Sequence, residues 1–179
     1  SLEDSTLYGG TYLDALVQHY EVTKKPGVAA RVRAIYQGLI KNATVSPSKG
    51  ILARGTHPDG VTYWGNASGD QYTGFFFGLW RYSRSSLVMA EEKAEISTVI
   101  TNLLGRLQKD GWTVMDERGV PVRFGALGAL TPTPSLRLLA MLLVGWDVTG
   151  DERWMRQFDQ EKKMRLDAVR DVSSEKGAP

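Results

Sequence analysis

The stretch GTHPDGVTYWGNASGDQYTGFFFGLWRY, residues 55–82, contains the transition that organises the chain. Its first half places polar and aromatic side chains among glycines, whereas from Phe75 onward large apolar residues follow at helical spacing. The stretch therefore predicts a polar loop that leads directly into a buried helix. Functional residues concentrate on long loops held by rigid elements, so we expect this loop to carry function. The alternative is a glycine-rich connection whose rings only cover the core.

Outward from this stretch, the chain shows three pairs of helical patterns, in which an apolar helix precedes a more amphipathic one. The pairs are residues 11–20 with 28–41, residues from about 73 with 90–109, and residues 136–146 with 152–170. The pattern repeats from Tyr12, Tyr72 and Ser135, at a period of about 60 residues. It predicts layered helical hairpins, with inner and outer helices. In the last helix, the expected buried positions are Trp154, Met155, Phe158 and Met164.

Two long loops, residues 42–70 and 110–133, follow the first and second hairpins and are expected at one end of the bundle. The first contains short extended pieces, ILARGTH and VTYWG, and the second contains WTVMD and VPVRF around the turn residues ERG. The second pattern predicts a β-hairpin. The predicted fold class is therefore all-α, with three helical hairpins and short β-hairpins in the long loops.

The composition of the 179 residues is that of one folded domain, with 42% hydrophobic and 23% charged residues. We expect this domain to cover residues 1–172, followed by a frayed tail at 173–179. A net charge of +2 without a basic run argues against a nucleic-acid partner. No apolar run reaches the roughly 18 residues of a membrane span. Without cysteine, and with two histidines that lack ligand-spaced partners, no metal or other cofactor is implied.

Three segments carry a resemblance to a known superfamily: YLDALVQHYEVTKKPG, ASGDQYTGFFFGLWRY and LLVGWDVTGDERWMRQF. In these segments the chain resembles the six-hairpin glycosidase-like (α/α) toroids, which include glycoside hydrolases, unsaturated glucuronyl hydrolases and polysaccharide lyases. The resemblance implies a partial (α/α)6 barrel and a carbohydrate substrate. Toroids of this kind use about six hairpins and this chain supplies three, which would leave apolar inner helices exposed. We therefore expect further toroid segments, or a second copy of the chain, to cover them.

A glycoside hydrolase needs a general acid and usually a second carboxylate as base or nucleophile. Asp70 is the first candidate, because it stands where the loop enters an inner helix, as catalytic carboxylates do in the proteins that this chain resembles. Its alternative role is helix N-capping. Asp59 and Asp116 are candidate second carboxylates, and each has an alternative role as a turn residue.

Sugar binding combines aromatic faces with polar groups that bind hydroxyls. We expect stacking from Trp64, Trp112 and Phe124, and Arg118 and Arg123 are available to hold a carboxylate if the substrate is acidic. Further binding candidates are His57, Tyr63, Asn66, Gln71 and Tyr72. The other tryptophans, at 80, 146 and 154, lie in helical stripes and are expected in the core.

Two alternatives to a hydrolase remain open at this point. A polysaccharide lyase would need a group that neutralises a uronate and a base such as Tyr or His, and the same loops offer both. A noncatalytic helical scaffold would instead bind a partner on its loop-rich face. A concave pocket lined by carboxylates and aromatic rings together would favour the enzyme over the scaffold.

Overall fold

The computed structural model describes residues 4–170, which form six α-helices in three consecutive hairpins and two short antiparallel β-hairpins. The helices are α1 (Ser5–Thr23), α2 (Pro26–Thr44), α3 (Gly69–Ser83), α4 (Ala90–Lys109), α5 (Pro132–Thr149) and α6 (Glu152–Arg170). The strands are β1 (Gly55–Thr56), β2 (Tyr63–Trp64), β3 (Thr113–Met115) and β4 (Pro121–Ala126). The predicted all-α class with β-hairpins in the loops is confirmed. The predicted tail at 173–179 lies outside the described residues.

The first helices of the three hairpins pack against one another, α1 on α3 and α3 on α5. The second helices flank this row: α2 contacts α1 and α4, α4 contacts α5, and α6 contacts α5. Helix α3 occupies the centre and buries most of its length, including Phe75, Phe76 and Leu79. A helix with large apolar residues on all sides has to be covered by several neighbours, and this arrangement covers α3 except on the side that carries Phe77.

Helices α4 and α6 have the expected bounds, whereas α1 and α5 are longer than their apolar patterns suggest. Helix α1 begins at Ser5, although Gly9 and Gly10 resemble a break in the sequence. Helix α5 begins at Pro132, because prolines are tolerated in a first turn whose N–H groups have no partner within the helix.

Glycines bring the backbones of α1 and α3 into direct contact. A Cβ atom at Gly10 would lie 1.8 Å from the carbonyl oxygen of Gly74. A Cβ atom at Gly78 would lie 2.5 Å from the carbonyl oxygen of Gly10, and one at Gly74 would lie 2.6 Å from that of Leu7. No side chain fits at these three positions. The glycines therefore set the distance between the two helices.

A buried polar network attaches the first long loop to α1 and α2. The Thr6 hydroxyl donates to the carbonyl oxygen of Ala53, and Asn42 Nδ2 donates to the Thr6 hydroxyl, both at 2.8 Å. The Thr56 hydroxyl donates to Asn42 Oδ1 at 2.8 Å. Since buried polar groups need partners, this closed set of hydrogen bonds fixes where the loop leaves the helices.

The two long loops meet at one end of the bundle, as the sequence predicts. The hydroxyls of Ser46 and Tyr63, from the first loop, both donate to the carboxylate of Glu117 in the second. Strands β1 and β2 pair with Gly55 opposite Trp64. In the other β-hairpin, the register shifts between its two aligned pairs, so β4 carries a bulge.

An apolar groove of about 500 Å³ lies between α3 and α5. Its lining includes Phe76, Phe77, Trp80, Met141, Leu143, Val144 and Trp146. Among the described residues, this is the apolar inner face that the three-hairpin pattern leads us to expect. Trp80 and Trp146 are half-buried here rather than in the core, because their indole N–H groups donate to Asp147 and Glu152 at the rim. Trp154 is fully buried, as predicted.

Helix α6 departs from its expected pattern in one respect. Met164 is exposed, while Glu161 and Arg165 are buried and form an ion pair of 2.8 Å. The prediction that Met164 is buried was wrong, because the carbonyl groups beneath this face of α6 need hydrogen-bond donors. Within residues 4–170, no helix combines the length and apolarity that crossing a membrane requires.

We expect Gly10→Ala to destabilise the fold by about 1–3 kcal/mol or more, because the added methyl group would overlap the backbone of α3. The matched control is Gly38→Ala in α2, where a Cβ atom meets nothing within 4 Å. That variant should be neutral or more stable by up to about 1 kcal/mol, since alanine favours a helix over glycine. Urea unfolding of the two variants measures the difference, and equal stabilities would contradict the close helix contact.

Candidate functional site

A cleft of about 600 Å³ opens where the two long loops meet the start of α3. It is lined by Asp4, Arg54, Asn66, Ser68, Asp70, Asp116, Arg118, Val120, Pro121, Val122, Arg123 and Phe124. The cleft brings together six of the residues predicted from sequence: Asn66, Asp70, Asp116, Arg118, Arg123 and Phe124. Its volume lies in the range of small-ligand sites, which run from about 300 to 1,000 Å³.

Asp70 lies in the first turn of α3 and is half-buried. Burial raises the pKa of Asp70, but hydrogen bonds from the Ser68 hydroxyl and from the N–H groups of Asp70 and Gln71, together with the charge of Arg137, outweigh burial and lower it overall. The carboxylate is therefore ionised at neutral pH. It can accept a proton, and it also stabilises the N-terminus of α3, whose N-cap position is taken by Ser68.

Asp116 closes the turn between β3 and β4. Its Oδ1 accepts hydrogen bonds from the N–H groups of Arg118 and Val120, at 2.9 and 2.8 Å, and its Oδ2 accepts from the Arg118 guanidinium at 3.0 and 3.1 Å. The N–H group of Val120 and the Arg118 guanidinium lower the pKa of Asp116. Both oxygens are thus engaged, so Asp116 orients Arg118 and is poorly placed to donate a proton.

Phe124 lies at the β4 bulge and projects its ring into the cleft, with 73% of the residue exposed. Its φ of 61° is in the left-handed region, which is unfavourable for a bulky residue. Asn66, on the opposite loop, has a φ of 60°. Asparagine tolerates this region, so the strain lies at Phe124, where the surroundings must hold the backbone in place. The guanidinium carbon of Arg123 lies 4.7 Å from the Phe124 ring centre.

Asp59 and His57 lie in the turn between β1 and β2, away from the residues that line the cleft. Asp59 Oδ1 accepts from the N–H groups of Val61 and Thr62, each at 2.8 Å, and Oδ2 lies 3.2 Å from His57 Nδ1. The N–H groups of Val61 and Thr62 lower the pKa of Asp59. This is the geometry of a turn residue, which the sequence analysis offered as the alternative for Asp59.

Tyr63 and Trp64 form the short strand β2, beside the cleft lining rather than within it. The Tyr63 hydroxyl donates to Glu117, and this hydrogen bond raises the pKa of Tyr63. A raised pKa makes a tyrosine less suited to act as a base. Trp64 is 59% exposed, so its ring is accessible for stacking outside the cleft.

Gln71, Tyr72 and Trp112, expected to bind substrate, are buried instead. The Gln71 side chain accepts from the N–H of Leu7 at 3.0 Å and donates to Asp4 Oδ1 at 2.7 Å, which holds α1 on α3. Tyr72 is in the core, hydrogen-bonded to the backbone of Leu52. Gln71 and Tyr72 follow the polar loop in sequence, but the first turns of α3 direct them inward. Trp112 lies in the turn between α4 and β3.

Arg54, Asp4 and Arg137 contribute to the site without having been predicted. Arg54 Nη2 donates to Asp4 Oδ1 at 2.6 Å, on the wall of the cleft. Arg137 lies near the N-terminus of α3, where its charge acts on Asp70. Arg137 could have been noticed in the sequence, because it is the one charged residue in the apolar pattern of residues 136–146. Asp4 could not, because only the tertiary fold brings it to the cleft.

Arg165 supports the cleft from behind. Besides its pair with Glu161, it donates to the carbonyl oxygens of Gly128 and Ala129, at 3.1 and 2.9 Å, and to that of Leu127 at 3.5 Å. These carbonyls belong to the loop that follows β4, the strand that carries Phe124. One buried guanidinium therefore sets the position of the loop behind the cleft wall. Within residues 4–170, no cluster of three or more His, Asp or Glu side chains could hold a metal ion.

We expect Arg165→Met to cost about 3–5 kcal/mol of stability, because it leaves the Glu161 carboxylate buried without its partner. Adding Glu161→Gln to this variant removes the uncompensated charge, so the double variant should be more stable than Arg165→Met alone. Urea unfolding of both variants tests this order. A double variant less stable than the single one would show that the buried pair does not govern this position.

The lowered pKa of Asp70 predicts a pH-dependent contribution to stability. The ionised carboxylate stabilises α3 above its unfolded pKa of about 4, and this contribution is lost as the pH falls through the native value. At pH 7 we expect Asp70→Asn to be less stable than the native protein by about 0.3–1 kcal/mol, and at pH 2.5 we expect this gap to be smaller. Urea unfolding at both pH values measures the gap. Asp159→Asn, on the exposed face of α6, is the control, and a gap that does not change with pH would contradict the assignment.

No family model matches the chain, and comparison with the curated proteins and with the solved structures found no match.

Proposed function

We propose that this protein is carbohydrate-active and that the cleft between the two long loops binds an oligo- or polysaccharide for hydrolysis. One observation carries the proposal: a single concave site combines the carboxylates Asp70 and Asp116 with three guanidinium groups and the exposed ring of Phe124. Sugars are bound by aromatic faces beside polar and charged groups. The resemblance to six-hairpin toroids, described for the sequence, supports the same class of function.

Asp70 is the residue best suited to activate water. In glycoside hydrolysis, water attacks the anomeric carbon and gives a proton to a base, while an acid protonates the oxygen that leaves. Asp70 has a lowered pKa and lines the cleft, so it fits the base. In a retaining reaction the same ionised group would instead attack the anomeric carbon.

The proton donor requires a different group. Asp116 has a lowered pKa and both of its oxygens are occupied, so it does not suit this role. We place the donor on the segments that complete the ring, either further hairpins or a second copy of the chain, which would also cover the apolar groove between α3 and α5.

Hydrolysis is favoured over elimination. A lyase needs a base near the uronate, and the candidates Tyr63 and His57 do not line the cleft. Tyr63 in addition has a raised pKa. A noncatalytic binding protein is the second candidate, and the apolar groove is the observation that favours it, since a large apolar surface is typical of a partner contact.

Substitution of Asp70 tests the proposed reaction. Asp70→Asn should reduce the release of reducing ends from the best substrate of a glycan panel by about 100- to 10,000-fold, because the amide cannot accept the proton. Asp59→Asn is the matched control, since Asp59 lies outside the cleft, and it should leave the rate unchanged. The rates are measured by reducing-sugar assay, with thermal unfolding as a check on folding. Full activity of Asp70→Asn, or no glycan bound by the native protein, would overturn the proposal.

A further inference from the structure

Not every charged side chain that lines the cleft has an oppositely charged partner there. Asp4 pairs with Arg54 and Asp116 pairs with Arg118. Arg123 has no carboxylate partner among the residues that the structure describes, and its guanidinium lies against the Phe124 ring. The Asp70 charge acts against Arg137 and the N–H groups of α3 rather than against these arginines. The cleft lining thus carries three carboxylates and three guanidinium groups, and Arg123 is the guanidinium among them that has no carboxylate partner within residues 4–170.

The ion pair with Asp116 orients the Arg118 guanidinium but does not engage all of its N–H donors. Two of its nitrogens donate to Asp116, while 81% of its side chain remains exposed. A guanidinium carries five N–H donors in a planar fork, so donors remain for a second acceptor. Held by Asp116 and the turn, the group keeps its direction before a ligand arrives, which lowers the entropic cost of binding.

Phe124 provides an apolar surface beside this charge. Although Arg123 lies over its ring, most of the residue remains open to solvent. A sugar ring that stacks on Phe124 would bring its substituents close to the Arg123 guanidinium, and Arg118 lines the same cleft. Planar oxyanions, carboxylates above all, match the geometry of a guanidinium.

We propose that the cleft selects an anionic sugar residue, whose carboxylate or sulfate group binds Arg123 and Arg118 while the ring stacks on Phe124. This inference rests on the proposed carbohydrate function and specifies its substrate class. Uncharged glycans lack the group that would satisfy these guanidinium donors, so they bind more weakly.

The experiment compares three hexasaccharides by isothermal titration calorimetry: neutral maltohexaose, carboxylated hexagalacturonate, and sulfated maltohexaose, which carries sulfate groups and no carboxylate. We expect at least one anionic probe to bind at least tenfold more tightly than the neutral one. Arg123→Gln should weaken the binding of that probe by about 10- to 100-fold, the usual value of a hydrogen bond to a charged group. Arg31→Gln, an exposed arginine on α2, is the control for loss of one positive charge and should have no effect.

The outcomes separate this inference from the function on which it rests. Preference for hexagalacturonate or for the sulfated probe identifies the anion and supports the inference. If maltohexaose binds as tightly as both anionic probes, charge selection is overturned and the carbohydrate function stands. If Arg31→Gln weakens binding as much as Arg123→Gln, the attraction is general and the site is overturned. If no probe binds, both proposals fail. Arg123 is exposed, and thermal unfolding confirms that its variant is folded.

Discussion

The contact between the backbones of α1 and α3 is the constraint on which the rest of the molecule depends. Gly10, Gly74 and Gly78 allow these two helices to touch without intervening side chains. Once α3 is held this closely, its N-terminal turn, with Ser68 and Asp70, has a defined position relative to the start of α1. The Gln71 side chain and the Arg54–Asp4 pair then join the same region. The cleft is thus built on a rigid helix junction, although loops form most of its lining.

Both long loops are attached to this junction through polar groups that would be costly to leave unpaired. Thr6, Asn42 and Thr56 fix the first loop, while the Arg165 guanidinium holds three carbonyls of the second. Glu117 then ties the loops to each other. Each network closes within itself, which is how buried polar groups avoid a net penalty. The buried polar groups that attach the loops are therefore paired with one another, whereas the groove between α3 and α5 leaves apolar surface uncovered.

The sequence was most informative where one helix alone determines the outcome. The bounds of α4 and α6 could be predicted because their apolar faces repeat with the helical period. The start of α1 could not, since Gly9 and Gly10 resemble a break in the sequence and only the structure shows that Gly10 packs against α3. Among the candidate site residues, Asp70, Asp116 and Phe124 could be placed at one end from the positions of the loops. Whether a loop side chain enters the cleft depends instead on the β4 bulge and on turn hydrogen bonds, which is why Asp59 lies outside it. The apolar side chain of Met164 was wrongly predicted to be buried. Its neighbour Arg165 is buried instead and donates to carbonyl groups distant in the sequence.

The hydrogen bonds from Arg165 to the carbonyl groups of residues 127–129 have a consequence for folding during synthesis. Every residue that lines the cleft leaves the ribosome before α6 does, yet the loop behind β4 lacks its hydrogen-bond donors until Arg165 emerges. A nascent chain that ends before α6 would carry all of the cleft's side chains without a fixed wall to hold them. The loop behind the cleft wall therefore gains these hydrogen bonds late in synthesis, when the last described helix docks.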